Sequence, residues 1–537
     1  MNLRLVCGVA AAALTLASGM ASAQDFSTQR LSDAVRHISA DDFQGRYPGT
    51  DGEQKTLEWL QAQYEAMGLE PGGRDGQWLQ EVTLKRYTPV EGAAKASWTD
   101  ADGQVHQLTA GQDILLRAVS NDGAAAIQQA GLVFVGYGIT APERGWDDYG
   151  DLDVSGKIVL VVGGEPDGDL FNGAYATNYQ SGAYKADEAK RRGAVGLITV
   201  SSAAADEAGW TRGAQMNSRQ RTLAPGAADL EFSGSINAGV AAQLGLDMTS
   251  LRPQLGTGQF KGFVLPGISL SVETTETIAE LKTHNLIAKI TGSERPNETV
   301  IYSAHWDHVG VNHNAPGEDK IFNGAWDNAS GTVGVVEMAR ELKAAPQPKR
   351  TLVFLHVTAE EMGLLGSYAY TADPVYPLET TVANINIDML PITGPTRDVP
   401  IFGKGQNSLE DSLQTLAADK GRYVSDDGQP AQGFYYRSDH FPFARAGVPA
   451  LMPWHGVDWV EGGREAGEAA WKAKFAADYH RPSDEWSEDL DWRSAVENLT
   501  LLYRLGLDLA NGQEWPTWKP TSEFGQVRER SAAVRAQ

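Results

Sequence analysis

Four apolar runs in this chain end abruptly on polar side chains. Residues 350–357 read Arg-Thr-Leu-Val-Phe-Leu-His-Val and, after Thr358 and Ala359, stop at the adjacent carboxylates Glu360 and Glu361. The run is long enough for one buried strand and too short for a core helix. Residues 299–304 lead in the same way to His305-Trp306-Asp307-His308, residues 382–387 to Asp388, and residues 323–326 through a glycine-bearing loop to Asp327-Asn328-Ala329-Ser330-Gly331. Between these runs the period changes. Val335, Val336, Ala339 and Leu342 mark a helix facing the sheet that ends near Pro346, and near the start Leu57, Leu60, Tyr64 and Met67 recur at helical spacing until Gly68. That early helix follows a helical stretch from Phe26 and a turn-rich loop, residues 41–50, that contains Gly45-Arg46. Strands alternating with helices predict an α/β sandwich with a mainly parallel central sheet.

The middle of the chain has another texture. Residues 93–275 carry short alternating strands and glycine turns at 132–138, 146–149 and 154–161, a charged helical stretch at 185–192 and a strand at 194–200. The first pattern resumes at residues 284–290, which look like an edge strand, and residues after 513 read as a polar tail.

In an open α/β sheet the crevice lies at the carboxyl ends of the strands, so the polar residues closing these runs are expected to converge. A Glu-Glu pair alone reads as a solvated turn. Beside the other donors it reads differently, because neighbouring carboxylates at a strand end point different ways and one can bind a metal while the other acts as general base. His305, Asp327, Glu361, Asp388 and His480 supply enough donors for two metal ions if one carboxylate bridges them, with room for a shared water, as in two-metal hydrolases. Imidazole and carboxylate without thiolate suit zinc best, with cobalt or manganese as substitutes.

Composition narrows the class. The only cysteine, Cys7, lies within residues 1–23, where Arg4, an apolar core and Ala21-Ser22-Ala23 read as a cleaved secretory signal. A mature chain without thiol has no disulfide or thiolate metal site. Net charge is −24, or −25 without the single Arg of the signal, which opposes binding to nucleic acid or anionic membranes. No segment has the length to span a bilayer.

The order His-x-Asp, Asp-Asn-x-Ser-Gly, Glu-Glu-x-Gly-x-x-Gly-Ser, Asn-x-Asp-Met and Tyr-His-x-x-x-Asp resembles the co-catalytic di-zinc aminopeptidases, a group that includes the glutamate carboxypeptidases. The resemblance covers roughly residues 284–510 with a first piece near 28–90. It implies a three-layer α/β/α zinc-exopeptidase sandwich interrupted by a β-rich protease-associated domain. The implied organisation is signal 1–23, first peptidase part 24–92, protease-associated domain 93–275, main peptidase part 276–512 and tail 513–537. It further implies that Asp327 bridges two Zn2+ ions, that His305 and Asp388 hold one, that Glu361 and His480 hold the other, and that Glu360 is the general base. Asp307 would orient His305, and Asp484 would support His480. Tyr435 would hydrogen-bond the developing oxyanion and Arg437 would contact the substrate backbone. His308, His313, His356, His440 and His455 are left to supporting, core or surface positions. Relatives often have an acidic residue where this chain has Trp326, which puts the shape of the pocket wall at issue rather than the metals.

The expected protein is thus an exported, periplasmic or extracellular metallo-exopeptidase that trims amino-terminal residues from peptides by means of a metal-bridging water. A dipeptidase or glutamate-type carboxypeptidase would use the same metal core. A glutaminyl cyclase would use one zinc, and a receptor-like module would have lost its ligands.

Overall fold

The fold is defined by a computed structural model that describes residues 26–171, 173, 175–224 and 230–535; the signal expected at residues 1–23 lies outside them. Helix α1 (Thr28–Ile38) starts where the Ser27 hydroxyl accepts from the Arg30 amide and buries Leu31, Val35 and Ile38. Helix α2 (Asp51–Ala66) buries Leu57, Leu60 and Tyr64, and strand β1 (Leu79–Pro89) follows.

The next part contains β2 (Ile114–Ala118), β3 (Ala124–Phe134), β4 (Ile158–Val162), α3 (Gly182–Arg191), β5 (Gly196–Val200) and β6 (Phe232–Ile236). Strands β3, β4, β5 and β6 pair parallel in that order, and β2 closes the far side antiparallel. A separate core forms here, from Leu132, Phe134, Ile158, Leu160, Ile198 and Phe232 among others.

Strand β7 (Phe263–Ile290) belongs to both halves of the molecule. Its first part pairs with β3 and its second part with β1, so no linker separates residue 275 from residue 276. Residues 284–290, expected to be an edge, are interior. Leu286–Ile290 pairs antiparallel with β9 (Arg350–Val357) on one side, while β1 and residues 70–71 occupy the other. The alternating pattern there reflects a strand whose neighbours come from the distant amino-terminal segment.

The remaining elements are β8 (Arg295–His305), α4 (Gly331–Ala344), α5 (Leu365–Ala372), β10 (Thr381–Asn386), α6 (His440–Arg445), β11 (Ala450–Leu451), α7 (Gly463–Asp478) and α8 (Arg493–Asn511). The order β11-β10-β8-β9 is parallel throughout, and β7 and β1 extend it antiparallel. Every residue of β9 and β10 is buried, as strands covered on both faces require. On one face Tyr302 and Phe354 stack 5.9 Å apart; Phe354 meets Tyr64 of α2, and the Tyr302 hydroxyl donates to Leu502 O of α8 at 2.9 Å. That approach needs Gly506, because a Cβ there would lie 1.6 Å from the Tyr302 hydroxyl oxygen. The alternate residues face the other way. Ser303 donates to Asn386, Asn386 donates to Ser438 just before α6, and Asn285 donates to Gly366 O of α5. The protein is therefore a mixed α/β fold with helices on both faces of a mostly parallel sheet.

The segment expected to be a polar tail is packed instead. Phe524 is buried, Trp515 and Trp518 lie against the main core, the Trp518 indole donates to Gly447 O at 2.8 Å, and Arg528 donates to Leu378 O and Thr381 O. Its charged residues hid three aromatic side chains spaced too irregularly to show a period. Among the described residues no helix is long and apolar enough to cross a membrane.

Candidate metal centre

The carboxyl ends of β8, β9 and β10 deliver His305, the Glu360-Glu361 turn and Asp388 to one place. The loop before α4 brings Asp327, and the residue after Tyr479 at the end of α7 brings His480. Asp327 is at the centre. Its Oδ1 lies 3.5 Å from His305 Nε2, and its Oδ2 lies 3.2 Å from His480 Nε2. His305 Nε2 is also 3.3 Å from Asp388 Oδ1, and His480 Nε2 is 2.9 Å from Glu361 Oε2. One carboxylate thus shows one oxygen to each of two His-carboxylate pairs. Glu360 adds an oxygen 4.0 Å from His305 Nε2.

The neighbours fix these groups through their backbones. Asp484 accepts from the amides of Trp326 and Asp327, both at 2.9 Å, so it supports Asp327 rather than His480 as expected. Asp307 likewise acts at a different point from the one expected. The His305 ring nitrogen Nδ1 lies 3.1 Å from the backbone oxygen of Asp307, while the Asp307 carboxylate is 3.8 Å away and accepts from the amides of Glu360 at 3.0 Å and Glu361 at 3.4 Å. A carboxylate two residues along the chain from the imidazole is turned towards the next strand, where two amides need an acceptor. Asn328 Oδ1 accepts from Gly331 and from Met389, which ties the Asp327 loop to the Asp388 loop. Ser438 Oγ donates to Asp388 Oδ2 at 2.6 Å.

His308 is the residue that sequence reasoning placed too vaguely. It is fully buried, its Nδ1 lies 2.6 Å from Glu361 Oε1, and with Asp327 and Glu361 it forms a second cluster able to hold an ion beside that of His305, Asp327 and Asp388. Its position one residue after Asp307 in His-Trp-Asp-His was the available signal. His313 is exposed, whereas His356, His440 and His455 are buried.

The electrostatics follow from crowding. Burial opposes a charge on His305, yet Glu360, Asp388 and Asp327 outweigh it and hold the imidazole well above its ordinary pKa. Burial pushes the Glu360 carboxyl well above the usual range, helped by the charges of Glu361, Asp439 and Asp388. Burial would raise Glu361 too, but His308 and His480 hold it below the ordinary value. Burial works against a charge on His480 as well, but Asp327 and Glu361 carry its pKa up to about 10. Buried carboxylates packed this closely around nitrogen donors fit divalent cations, which would neutralise them without long side chains.

The cleft above these groups is also lined by Met389, Phe402, Phe434, Arg437, Ser438, Met452, Trp454, Phe475 and Tyr479. Arg437 is exposed and its guanidinium sits 5.0 Å over the Phe434 ring. Tyr435 is not part of this lining. It is buried edge-on to His440 at 4.6 Å and borders a separate pocket with Gly403, Gln406 and Tyr175, so the tyrosine beside the donors is Tyr479, stacked on His480 at 3.9 Å. Two tyrosines follow Phe434, and local backbone geometry rather than order decides which way each ring turns. Trp326 is not a cleft wall either: it is buried 4.9 Å from the His455 ring.

Residues 285–505 match the family model "Peptidase family M28". Among curated proteins, the chain is 26% identical to the probable lipoprotein aminopeptidase LpqL of Mycobacterium tuberculosis over 67% of this chain and 63% of that protein. It is 27% identical to the aminopeptidase YwaD of Bacillus subtilis over 70% of this chain and 66% of that one. It is 28% identical to a probable zinc metalloprotease of Pyrenophora teres f. teres over 31% of this chain and 41% of that one. Each match spans less than two thirds of the relative's length. The stretch that matches the family model holds all six residues His305, Asp327, Glu360, Glu361, Asp388 and His480.

Proposed function

We propose that this chain is a zinc-dependent aminopeptidase, with His305, Asp388 and one oxygen of Asp327 holding one ion and Glu361, His480 and the other oxygen of Asp327 holding a second. The observation that carries this reading is the placement of the two Asp327 oxygens 3.5 Å and 3.2 Å from the two imidazole nitrogens. The family match and the zinc and aminopeptidase names of the relatives support it. Bound zinc would supply Lewis acidity, polarising the scissile carbonyl and acidifying water. Glu360 takes the proton of the attacking water as the C–O bond forms, and returns it to the nitrogen as the C–N bond breaks. Tyr479, beside the donors, replaces Tyr435 as the side chain placed to steady the carbonyl oxygen. Glu360 and Asp388 offer negative charge to a free α-ammonium.

Arg437 favours a second reading. An exposed guanidinium on the cleft wall would take the free carboxylate of a short substrate, as in a dipeptidase or carboxypeptidase. Residues 93–275 would form a protease-associated domain, and the signal read in residues 1–23 would place the enzyme in the periplasm or outside the cell. The deciding experiment assays aminoacyl and dipeptide substrates, free and amino-acetylated, with zinc and with a chelator. Activity that persists in chelator without bound metal would overturn the zinc reading.

A further inference from the structure

The most deeply buried cation near the metal centre lies outside the stretch that matches the family. Arg46 ends the short helical turn Asp41–Arg46 ahead of α2, and its side chain has no exposed surface. Its Nε donates to Trp306 O at 2.9 Å, Nη1 to Asn323 O at 2.6 Å and Ile38 O at 3.2 Å, and Nη2 to Gly324 O at 2.8 Å. Trp306 lies between His305 and Asp307, while Asn323 and Gly324 begin the loop that carries Asp327. One planar fork therefore grips both the loop that carries His305 and the loop that carries the shared carboxylate, Asp327. The His308 amide points at the Arg46 carbonyl at 3.4 Å and ties the same loop to the backbone of the turn.

The chain adopts an unfavourable backbone to put the arginine there. Gln44, Gly45 and Arg46 have φ of 49°, 62° and 51°, and a Cβ on Gly45 would lie 2.3 Å from Phe322 O. Left-handed backbone at a non-glycine residue is unfavourable and persists only where surrounding contacts impose it. Arg46 bonds carbonyls and no carboxylate, although Asp484, Asp327, Asp307 and Glu361 surround it at longer range. Burial lowers its pKa to about 10, against those charges, which leaves it a cation at neutral pH.

We propose that Arg46 is a positioning residue for the metal centre: its guanidinium sets the spacing of the His305 and Asp327 loops, and its charge offsets part of the carboxylate excess. The inference rests on the zinc reading above. Lysine keeps the charge but is a point donor without the planar fork, and methionine removes both, so the two variants separate geometry from charge.

The test uses the full chain. Zinc affinity is measured by competition with a chromophoric chelator, the visible spectrum is recorded after cobalt substitution, and melting is followed in zinc and in chelator. Arg46→Lys is expected to bind zinc about 10–100-fold more weakly, the range for residues that support metal ligands. It should also alter the cobalt spectrum and lose part of the metal-dependent rise in melting temperature. Methylguanidine should restore part of the affinity of Arg46→Ala. An Arg46→Lys protein with the parent's zinc affinity and cobalt spectrum, even if it melts earlier, would assign Arg46 to general stability and overturn the proposal. Should Arg46→Met fail to fold, the lysine variant alone decides. A parent protein that binds no zinc would overturn the functional reading itself, which is a different result.

Discussion

Asp484 gives one carboxylate oxygen to the amide of Trp326 and the other to the amide of Asp327, each at 2.9 Å. Both amides are buried, so the pair fixes the direction in which Asp327 presents its own oxygens to His305 and His480. Asp484→Asn replaces one acceptor by an amide donor facing an N–H. A buried unsatisfied group costs about 1–3 kcal/mol, and loss of support for a ligand costs about 10–100-fold in metal affinity. We predict a destabilised protein with weakened zinc binding, measured by urea unfolding and chelator competition. Unchanged zinc affinity in a folded Asp484→Asn protein would remove Asp484 from the centre.

Glu360 and Glu361 are adjacent in sequence and differ in surroundings. Glu361 lies 2.9 Å from His480 and 2.6 Å from His308, whereas Glu360 faces the cleft with an oxygen 4.0 Å from His305. We predict that Glu360→Gln keeps its zinc while turnover falls about a hundred- to ten-thousand-fold, the range for a lost general base. Glu361→Gln should lose zinc first. Elemental analysis beside steady-state kinetics checks this, and the opposite pattern would exchange the two roles.

These cases show what the sequence could and could not tell. His305, Glu360, Glu361 and Asp388 follow buried strands, and parallel strands bring their carboxyl ends together whatever lies between them, so their meeting was legible. Asp484, Asn328 and Arg46 act through backbone groups of loops far away in the chain, and Ser438 through the side chain of Asp388; no spacing encodes which group a side chain will meet. Tyr435 shows the opposite difficulty. A motif fixed its place in the order, while the buried contacts with His440 and Phe524 fixed its direction. The unbroken β7 was hidden for a similar reason: alternation continues across residue 275 while the partner strand changes from β3 to β1.

His356 provides a pH-dependent test well inside the core. It is wholly buried, 2.6 Å from the Tyr64 hydroxyl, and burial lowers its pKa to about 3. The folded state keeps the ring neutral, while the unfolded chain takes up a proton below its ordinary value near 6.5. The unfolded state therefore binds more protons between about pH 6.5 and pH 3, and stability falls as pH falls through that window, by about 1.4 kcal/mol per unit for this group. We predict that His356→Gln shrinks the loss of unfolding free energy between pH 7 and pH 5 by about 2 kcal/mol. Denaturant titrations at the two pH values check this, and an equal loss in both proteins would mean that the ring is charged in the fold.

The last prediction concerns which end of the substrate is held. Glu360 and Asp388 line the cleft with carboxyl groups, and Arg437 is the guanidinium on its wall, 5.0 Å over Phe434. A free α-ammonium pairs with the first two, and acetylation removes that charge and adds bulk at the same point. Loss of a charged partner in a desolvated site costs about 2–5 kcal/mol, or about tens- to thousands-fold in specificity. We predict that free peptides are trimmed from the amino end while acetylated ones are nearly inert. Arg437→Ala separates the two readings. If the arginine touches only the backbone of the substrate, the variant should lose activity equally on dipeptides and on their carboxyamides. If it holds a terminal carboxylate, KM should rise for the free dipeptide alone, by about tenfold or more, the size expected for one charge-assisted hydrogen bond. Equal cleavage of free and acetylated peptides, together with that selective rise in KM, would identify a carboxyl-directed enzyme on the same metal centre.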